Sequence, residues 1–246
     1  MTLYEDDSEF IPIMSFKEEE DPSLDEAYQK PVPILPLRNT VLFPGVVIPI
    51  TVGRDKSIRL IREANNKTKT IGVMSQRDIS VEDPGPEDLH RIGTLARILK
   101  MLRMPDGNTT VIIQGRQRFE LQEVVQREPY LKAHLAPNPD LLPDPKNKEF
   151  NALISTIKDL ALQIIEISPN IPSEAALALR NIESPAFLVN FIASNLNIEV
   201  GEKQTLLEIH DLHERSTRVL EYLHKELQLL ELKNQIQSKV KTDLDK

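Results

Sequence analysis

"PVPILPLRNTVLFPGVVIPITVGR", residues 31–54, has the apolar density of buried strands, yet Pro31, Pro33, Pro36, Pro44 and Pro49 interrupt it. Proline cannot donate to a strand ladder, so a long central strand would not tolerate this spacing. The prolines divide the stretch into short extended pieces, "VPIL" and "TVLFPGVVIPITV", with Pro44-Gly45 as the turn or bulge between them. Short kinked strands suit the wall of a small closed barrel, where strands bend sharply and few edges remain.

Outward from this stretch, residues 31–137 read as β-rich. A short helix follows it, with Asp55 as its cap and Ile58, Ile61 and Ala64 on one face, stopped by Asn65-Asn66. Strands are expected at "TIGVMSQ", at "RIGTLARILKMLRM", and after the turn "PDGN" (105–108) at "TTVIIQG", a strong local hairpin signal. "RFELQEVV" and "YLKAHLAP" complete the sheet. The mixed polarity of 91–104 predicts a strand covered on one side only.

"PNPDLLPDPK" (137–146) carries four prolines in ten residues and marks a linker over 138–148. Residues 149–246 then change period from two to 3.6, with Phe150, Leu153, Ile154, Ile157, Leu160, Ala161, Ile164 and Ile165 in one apolar stripe. Ser168-Pro169 ends that helix, Ser173 caps the next, and Ser184-Pro185 opens a third. The last helix runs from Leu212 towards Leu244 with Leu220, Leu223, Leu227 and Leu230 as a packing seam. It reaches "KVKTDLDK" in helical register without Gly or Pro, so the protein is expected to continue beyond residue 246.

Residues 1–30 hold ten acidic side chains against Lys17 and Lys30, while 31–246 carry 28 of each sign. The acidity belongs to a leader, expected to be disordered because it cannot bury enough surface, with "FIPIM" (10–14) as a candidate docking element. A neutral body argues against a dedicated nucleic-acid binder. Basic residues do gather at Arg97, Lys100, Arg103, Arg116, Arg118, Arg127 and Lys132, but only Phe119 and Tyr130 are near them as stacking platforms, so a solvated barrel exterior is expected.

The chain has no cysteine, which excludes disulfides and thiolate chemistry, and no stretch approaches a membrane span. Without a secretory signal either, it reads as cytoplasmic. None of the eight glycines precedes a lysine or sits at the spacing of a phosphate loop, dinucleotide fingerprint or nucleophile elbow. "HERST" (213–217) lacks the second histidine of a zinc-protease helix, and His210 with His213 lacks a third ligand. "STIK" (155–158) lacks the companion motifs of serine-lysine acyl transferases. No catalytic, cofactor or metal residue is expected.

Four segments in order resemble the amino-terminal region of the ATP-dependent Lon protease family: "LPLRNTVLFPGVVIPITVGR", "IGTLARILKMLRMPDGNTTVIIQGRQRFEL", "ESPAFLVNFIASNL" and "KQTLLEIHDLHERSTRVLEYLHKELQLLELKNQIQSKV". The resemblance spans residue 31 to the end. It implies an α+β architecture, a PUA-like small β-barrel followed by an α-helical bundle ending in a long helix. It also implies a role in recognising misfolded, abnormal and short-lived regulatory proteins and in homohexamer assembly. ATP, Mg and the serine-lysine catalytic residues of the full-length enzyme would then lie beyond residue 246. The acidic leader falls outside the shared pattern. A recruiting module needs accessible apolar surface rather than an acid-base pair, which makes Leu42, Phe43, Met101 and Met104 the candidate substrate-protein contacts; the competing expectation is that they fill the barrel core. A free-standing adaptor and an RNA-binding barrel are the alternative functions.

Overall fold

The computed structural model describes residues 22–105, 108–168, 171, 172 and 174–244. Helix α1 (Pro22–Gln29) precedes β1 (Val32–Leu37), β2 (Val47–Val52), α2 (Asp55–Asn65), β3 (Thr70–Ser75), β4 (Ile92–Arg103), β5 (Thr109–Gln126) and β6 (Lys132–Pro137). Five helices follow: α3 (Lys148–Ile167), α4 (Glu174–Arg180), α5 (Pro185–Asn195), α6 (Val200–Glu208) and α7 (Leu212–Leu244).

The strands pair in the order β2-β5-β4-β3-β1-β6, and β6 returns to pair with the second half of β5. This last pairing closes β5, β4, β3, β1 and β6 into a ring, leaving β2 as an added strand on the first half of β5. β1 runs parallel to β3, with α2 in the crossover between them; the other pairings are antiparallel. The proline-rich stretch is tolerated because its strands are rarely paired on both sides at once. In β1, β6 pairs only Val32 and Pro33, and β3 pairs only Ile34 to Leu37. Pro49 lies in β2, which pairs with β5 alone.

β5 is one strand of 18 residues, where the sequence suggested two pieces. A bulge near Gly115 turns it from its β2 partnership to its β6 partnership while β4 stays paired along most of its length. Neighbouring residues point to opposite faces, and both faces are covered. Val32, Ile34, Met74, Leu95 and Phe119 join one core, which Leu24 and Ala27 of α1 also enter. Leu35, Leu37, Ile71, Val73, Ala96 and Ile98 join another beneath Leu60, Ile61 and Ala64 of α2. Consequently β4 is buried on both faces from Gly93 to Ala96, alternates over Arg97 to Leu99 with Ile98 alone inside, and is open beyond; the one-sided covering expected for the whole strand holds only for that short middle stretch.

The leader was expected to be disordered through residue 30, but 22–29 are helical because alternating turns place Leu24 and Ala27 on a face the barrel can bury. "FIPIM" lies outside the described residues, as does Ser173. Asp55 is the first residue of α2 rather than its cap; Arg54 occupies the cap position, and Asp55 instead complements the helix dipole. The bundle follows its sequence signals closely. Asn147 accepts from the Phe150 N–H and Ser184 from the Phe187 N–H, capping α3 and α5. Phe150, Ile157, Ala161 and Ile164 of the stripe are buried with Val219, Leu223 and Leu227 of α7.

Barrel and bundle meet through the loop between β1 and β2. Val41, Phe43 and Val46 enter the bundle core, and Leu42 enters the core beneath α2. Gly115 donates to the Val46 carbonyl at 2.9 Å and accepts from the Gly45 N–H at 2.9 Å. A Cβ on Gly115 would collide with the Phe43 carbonyl oxygen, and Gly45 combines a φ of +83° with a Phe187 ring carbon 2.6 Å from where its Cβ would stand. Gly115→Ala is therefore expected to lower the unfolding free energy by about 2–4 kcal/mol in urea denaturation, through strain in a packed backbone contact. Gly53→Ala, where a Cβ meets nothing within 4 Å, should change it by under about 1 kcal/mol.

Candidate functional site

Leu42 and Phe43 are not surface contacts: they are 2% and 0% exposed. Their loop lies between two cores and alternates between them, so consecutive apolar residues are both consumed in packing. The Leu42 carbonyl also accepts from Thr94 Oγ1 at 2.6 Å. Met101 and Met104 do lie on the surface, 38% and 42% exposed. They occupy the free end of the β4–β5 hairpin, beyond the part of β4 that the two cores cover. A register shift between Ile98 and Lys100 sets Leu99 into a bulge, where it too is exposed. Met101 stands opposite Val111, and Leu102 opposite Thr110. Leu99, Met101 and Met104 thus form an open apolar group on β4, at the end of a hairpin whose other strand, β5, is flanked by β2. Sequence reasoning passed over Leu99, although it stands two residues from Arg97 in the alternation of the strand and both are exposed.

Basic residues surround this group. Arg97, Lys100 and Arg103 of β4 are exposed, and Lys67 and Lys69 of the preceding turn lie beside β4, where the Ile98 N–H donates to the Lys69 carbonyl at 2.8 Å. Arg118, which the sequence places with this solvated basic set, is instead buried. So are Phe119 and Tyr130, the two aromatics near the basic set, which leaves neither ring free to stack on a base.

Arg118 belongs to a buried polar network that spans barrel, linker and bundle. Asp140 of the linker accepts from Arg118 at 2.8 Å and from Arg215 of α7. Arg118 also donates to the carbonyls of Leu207 (2.8 Å), Ile209 (3.0 Å) and Pro139 (3.2 Å). Arg215 donates to Asn190 Oδ1 at 2.6 Å and to the Ile209 carbonyl at 3.1 Å. Asn190 in turn donates to the Pro44 carbonyl at 3.2 Å. Burial pulls the Arg118 guanidinium down to about 10, opposed by Asp140, so it stays charged at neutral pH. Every partner here is a structural acceptor, which makes the network a clamp.

The remaining motifs have structural roles. Lys158 donates to the carbonyls of Arg180 (2.8 Å) and Ile182 (2.9 Å), tying α3 to the end of α4. His213 lies against Phe150 with ring centroids 5.9 Å apart. Among the described residues, no group of three His, Asp or Glu stands together as a metal site. A cavity of about 280 Å³ lies beside α2, lined by Pro36, Arg54, Ser57, Leu60 and Tyr130 among others. Its rim charges pair with each other, Lys56 with Asp83 (2.7 Å) and Glu128 (2.8 Å), and Arg127 with Glu87 (3.6 Å). Towards its end α7 exposes a stripe of Leu229, Leu232, Ile236 and Val240. No helix among the described residues is long and apolar enough to cross a membrane.

Comparison with known proteins bears on this surface. The family described as "ATP-dependent protease La (LON) substrate-binding domain" matches residues 31–225. The Lon protease of Flavobacterium johnsoniae is 54% identical over 242 residues, covering 98% of this chain and 30% of that protein. The Lon protease of Cytophaga hutchinsonii is 46% identical over 237 residues, covering 96% and 29%. The chain thus spans about 30% of the length of these curated relatives. Among solved structures, the N-terminal domain of Mycobacterium avium complex Lon protease superposes with a TM-score of 0.65 at 21% identity, covering 79% of this chain and 98% of that one. A Lon N-terminal domain protein from Xanthomonas campestris gives 0.54 at 22% identity, with 78% and 97% covered. Both likenesses concern the fold.

The clamp makes its own prediction. Asp140→Ala leaves two buried guanidinium groups facing each other without an anion, and should cost about 3–5 kcal/mol of stability. Urea denaturation followed by far-UV circular dichroism reads this; a loss under 1 kcal/mol would mean that water reaches both arginines.

Proposed function

The chain belongs to the substrate-binding domain family of the ATP-dependent Lon proteases, and from that premise we propose that it captures unfolded or degron-bearing polypeptides through the open end of the β4–β5 hairpin. The observation that carries this reading is the exposed group Leu99, Met101 and Met104, projecting from a body whose other strand apolars are largely consumed in two cores. Flexible thioethers adapt to varied partner side chains, which suits a surface that must accept many sequences. The basic residues around the group favour polypeptides with acidic flanks and raise the rate of encounter.

The chemistry of degradation belongs, in this proposal, to segments outside the chain: an ATP- and Mg-dependent unfolding module and a serine-lysine peptidase, working in the cytoplasm. Assembly into a homohexamer is part of the same reading, and the exposed stripe of α7 from Leu229 to Val240 supports it by offering apolar contact at helical spacing. Neither an adaptor nor an RNA-binding role has a comparable feature in its favour, since the aromatic rings near the basic residues are buried.

The test is the affinity for a reduced, carboxymethylated protein that cannot refold. Met101→Glu with Met104→Glu should weaken binding about tenfold, or ~1.4 kcal/mol, without changing the urea midpoint by more than the error of measurement. Unchanged affinity in the folded double variant would remove the hairpin from the recognition surface.

A further inference from the structure

We propose that the cavity beside α2 is a carboxylate site that takes the carboxyl terminus of a polypeptide, with the Arg54 guanidinium on the terminal carboxylate and the last side chain against an apolar floor. That the acid belongs to a polypeptide rests on the function proposed above; that the cavity takes a carboxylate on an apolar body does not. The cavity, about 280 Å³, lies between the start of α2, the loop 83–88 and the β5–β6 turn. Ile34, Pro36, Leu60 and Leu131 give it an apolar lining. Two polar groups in it are left unspent by the fold's own hydrogen bonds.

Arg54 is the first. Its Nη2 donates to Gln76 Oε1 at 2.6 Å, and this is the guanidinium's one hydrogen-bond or ion-pair partner among the described residues. Gln76 is 2% exposed, and its Nε2 donates to the carbonyls of Asp78 (3.1 Å) and Val81 (3.0 Å), which fixes the acceptor that the guanidinium meets. A buried neutral amide therefore aims Arg54 without answering its charge. Burial first, and then the charge of nearby Arg38, pull Arg54 below the usual arginine range, with Asp83 opposing them. A bound anion relieves the repulsion. Ser57 is the second group: it is 8% exposed, lines the same cavity, and its hydroxyl has no hydrogen-bond partner among the described residues. A guanidinium fork and a hydroxyl suit the two oxygens of a carboxylate.

The rim decides the charge of the ligand. Asp83 and Glu128 share Lys56 at 2.7 and 2.8 Å, Glu87 pairs with Arg127 at 3.6 Å, and Asp88 accepts from the Gly85 N–H at 2.8 Å. Carboxylates still outnumber cations there, so a dianionic phosphate is disfavoured, while one carboxylate neutralises Arg54. Size points the same way. The cavity falls just under the roughly 300–1,000 Å³ of common ligand pockets, room for a small acid or the end of an extended chain. The rim side chains are exposed, so the rest of such a chain leaves over them into solvent.

The test compares acetyl-alanyl-alanyl-alanyl-leucine with its carboxyl-terminal amide, each titrated calorimetrically into the 246-residue chain. The acid should bind about tenfold or more tightly than the amide, the difference expected of a hydrogen-bonded charge. Arg54→Gln should abolish that difference without moving the urea midpoint. Equal affinity of acid and amide for the wild-type chain, or no binding of either, overturns the proposal without recourse to a variant. A preference for the acid that persists in Arg54→Gln also overturns it, by placing the carboxylate elsewhere. Acetyl-leucine binding as tightly as the peptide acid would make a small acid the ligand and overturn the polypeptide end. The hairpin function fails separately. If Met101→Glu with Met104→Glu leaves affinity for the carboxymethylated protein unchanged while the acid preference depends on Arg54, the cavity stands and the hairpin reading falls. If that double variant weakens the carboxymethylated probe while acid and amide bind alike, the hairpin stands and the cavity does not.

Discussion

The approach of the Val41–Val46 loop to the bare backbone of Gly115 is the contact on which the rest of the arrangement depends. With the Phe43 carbonyl seated where a side chain would otherwise stand, the loop exchanges two hydrogen bonds with β5 and runs between barrel and bundle. Its residues then divide, Leu42 to one side and Val41, Phe43 and Val46 to the other. One short segment therefore nucleates two cores. The same position is where β5 changes partner from β2 to β6, so the ring closes at the point where the bundle attaches.

A second constraint secures that junction. Apolar contact alone is non-directional, and a bundle resting on a barrel through it could settle at several angles. The two guanidinium groups around Asp140, with carbonyls from Pro139, Leu207 and Ile209 and the relay through Asn190 to Pro44, are satisfied in one relative orientation. Buried ion pairs contribute little net stability because desolvation offsets most of the attraction. Their effect here is geometric: Arg215 lies on α7, so the direction of the long helix is referred to the barrel through charge-assisted hydrogen bonds.

With junction and cores built from the loop and the clamp, the hairpin end is left to project. It lies past the bulge at Leu99, where the residues of β4 leave both cores while β2 stays paired with β5 alongside. Rigid at its base and apolar at its end, such a projection presents side chains without exposing the body of the sheet. Its charge is as one-sided as that of the leader and of opposite sign.

Local signals in the sequence determined much of this protein. The proline spacing of 31–54 required short strands in a curved wall, "PDGN" announced the β4–β5 hairpin, the linker prolines separated barrel from bundle, and Asn147, Ser184 and the 3.6 period set the helices. These were legible because each acts over a few residues, through φ restriction, capping or one buried face. Family membership was legible as well, in four ordered segments. Tertiary structure alone decided which apolar and which basic residues face water. Leu42 and Met101 look alike as sequence, yet one fills a core because a loop crosses between two layers, and the other is open because its strand extends past both. Arg97 and Arg118 differ in the same way: Arg118 meets Asp140 only after the linker folds back beside β5, a contact between residues far apart along the chain. The period of a strand states that neighbouring side chains point apart; which of those directions is inside depends on what packs there, and that is a property of the whole fold.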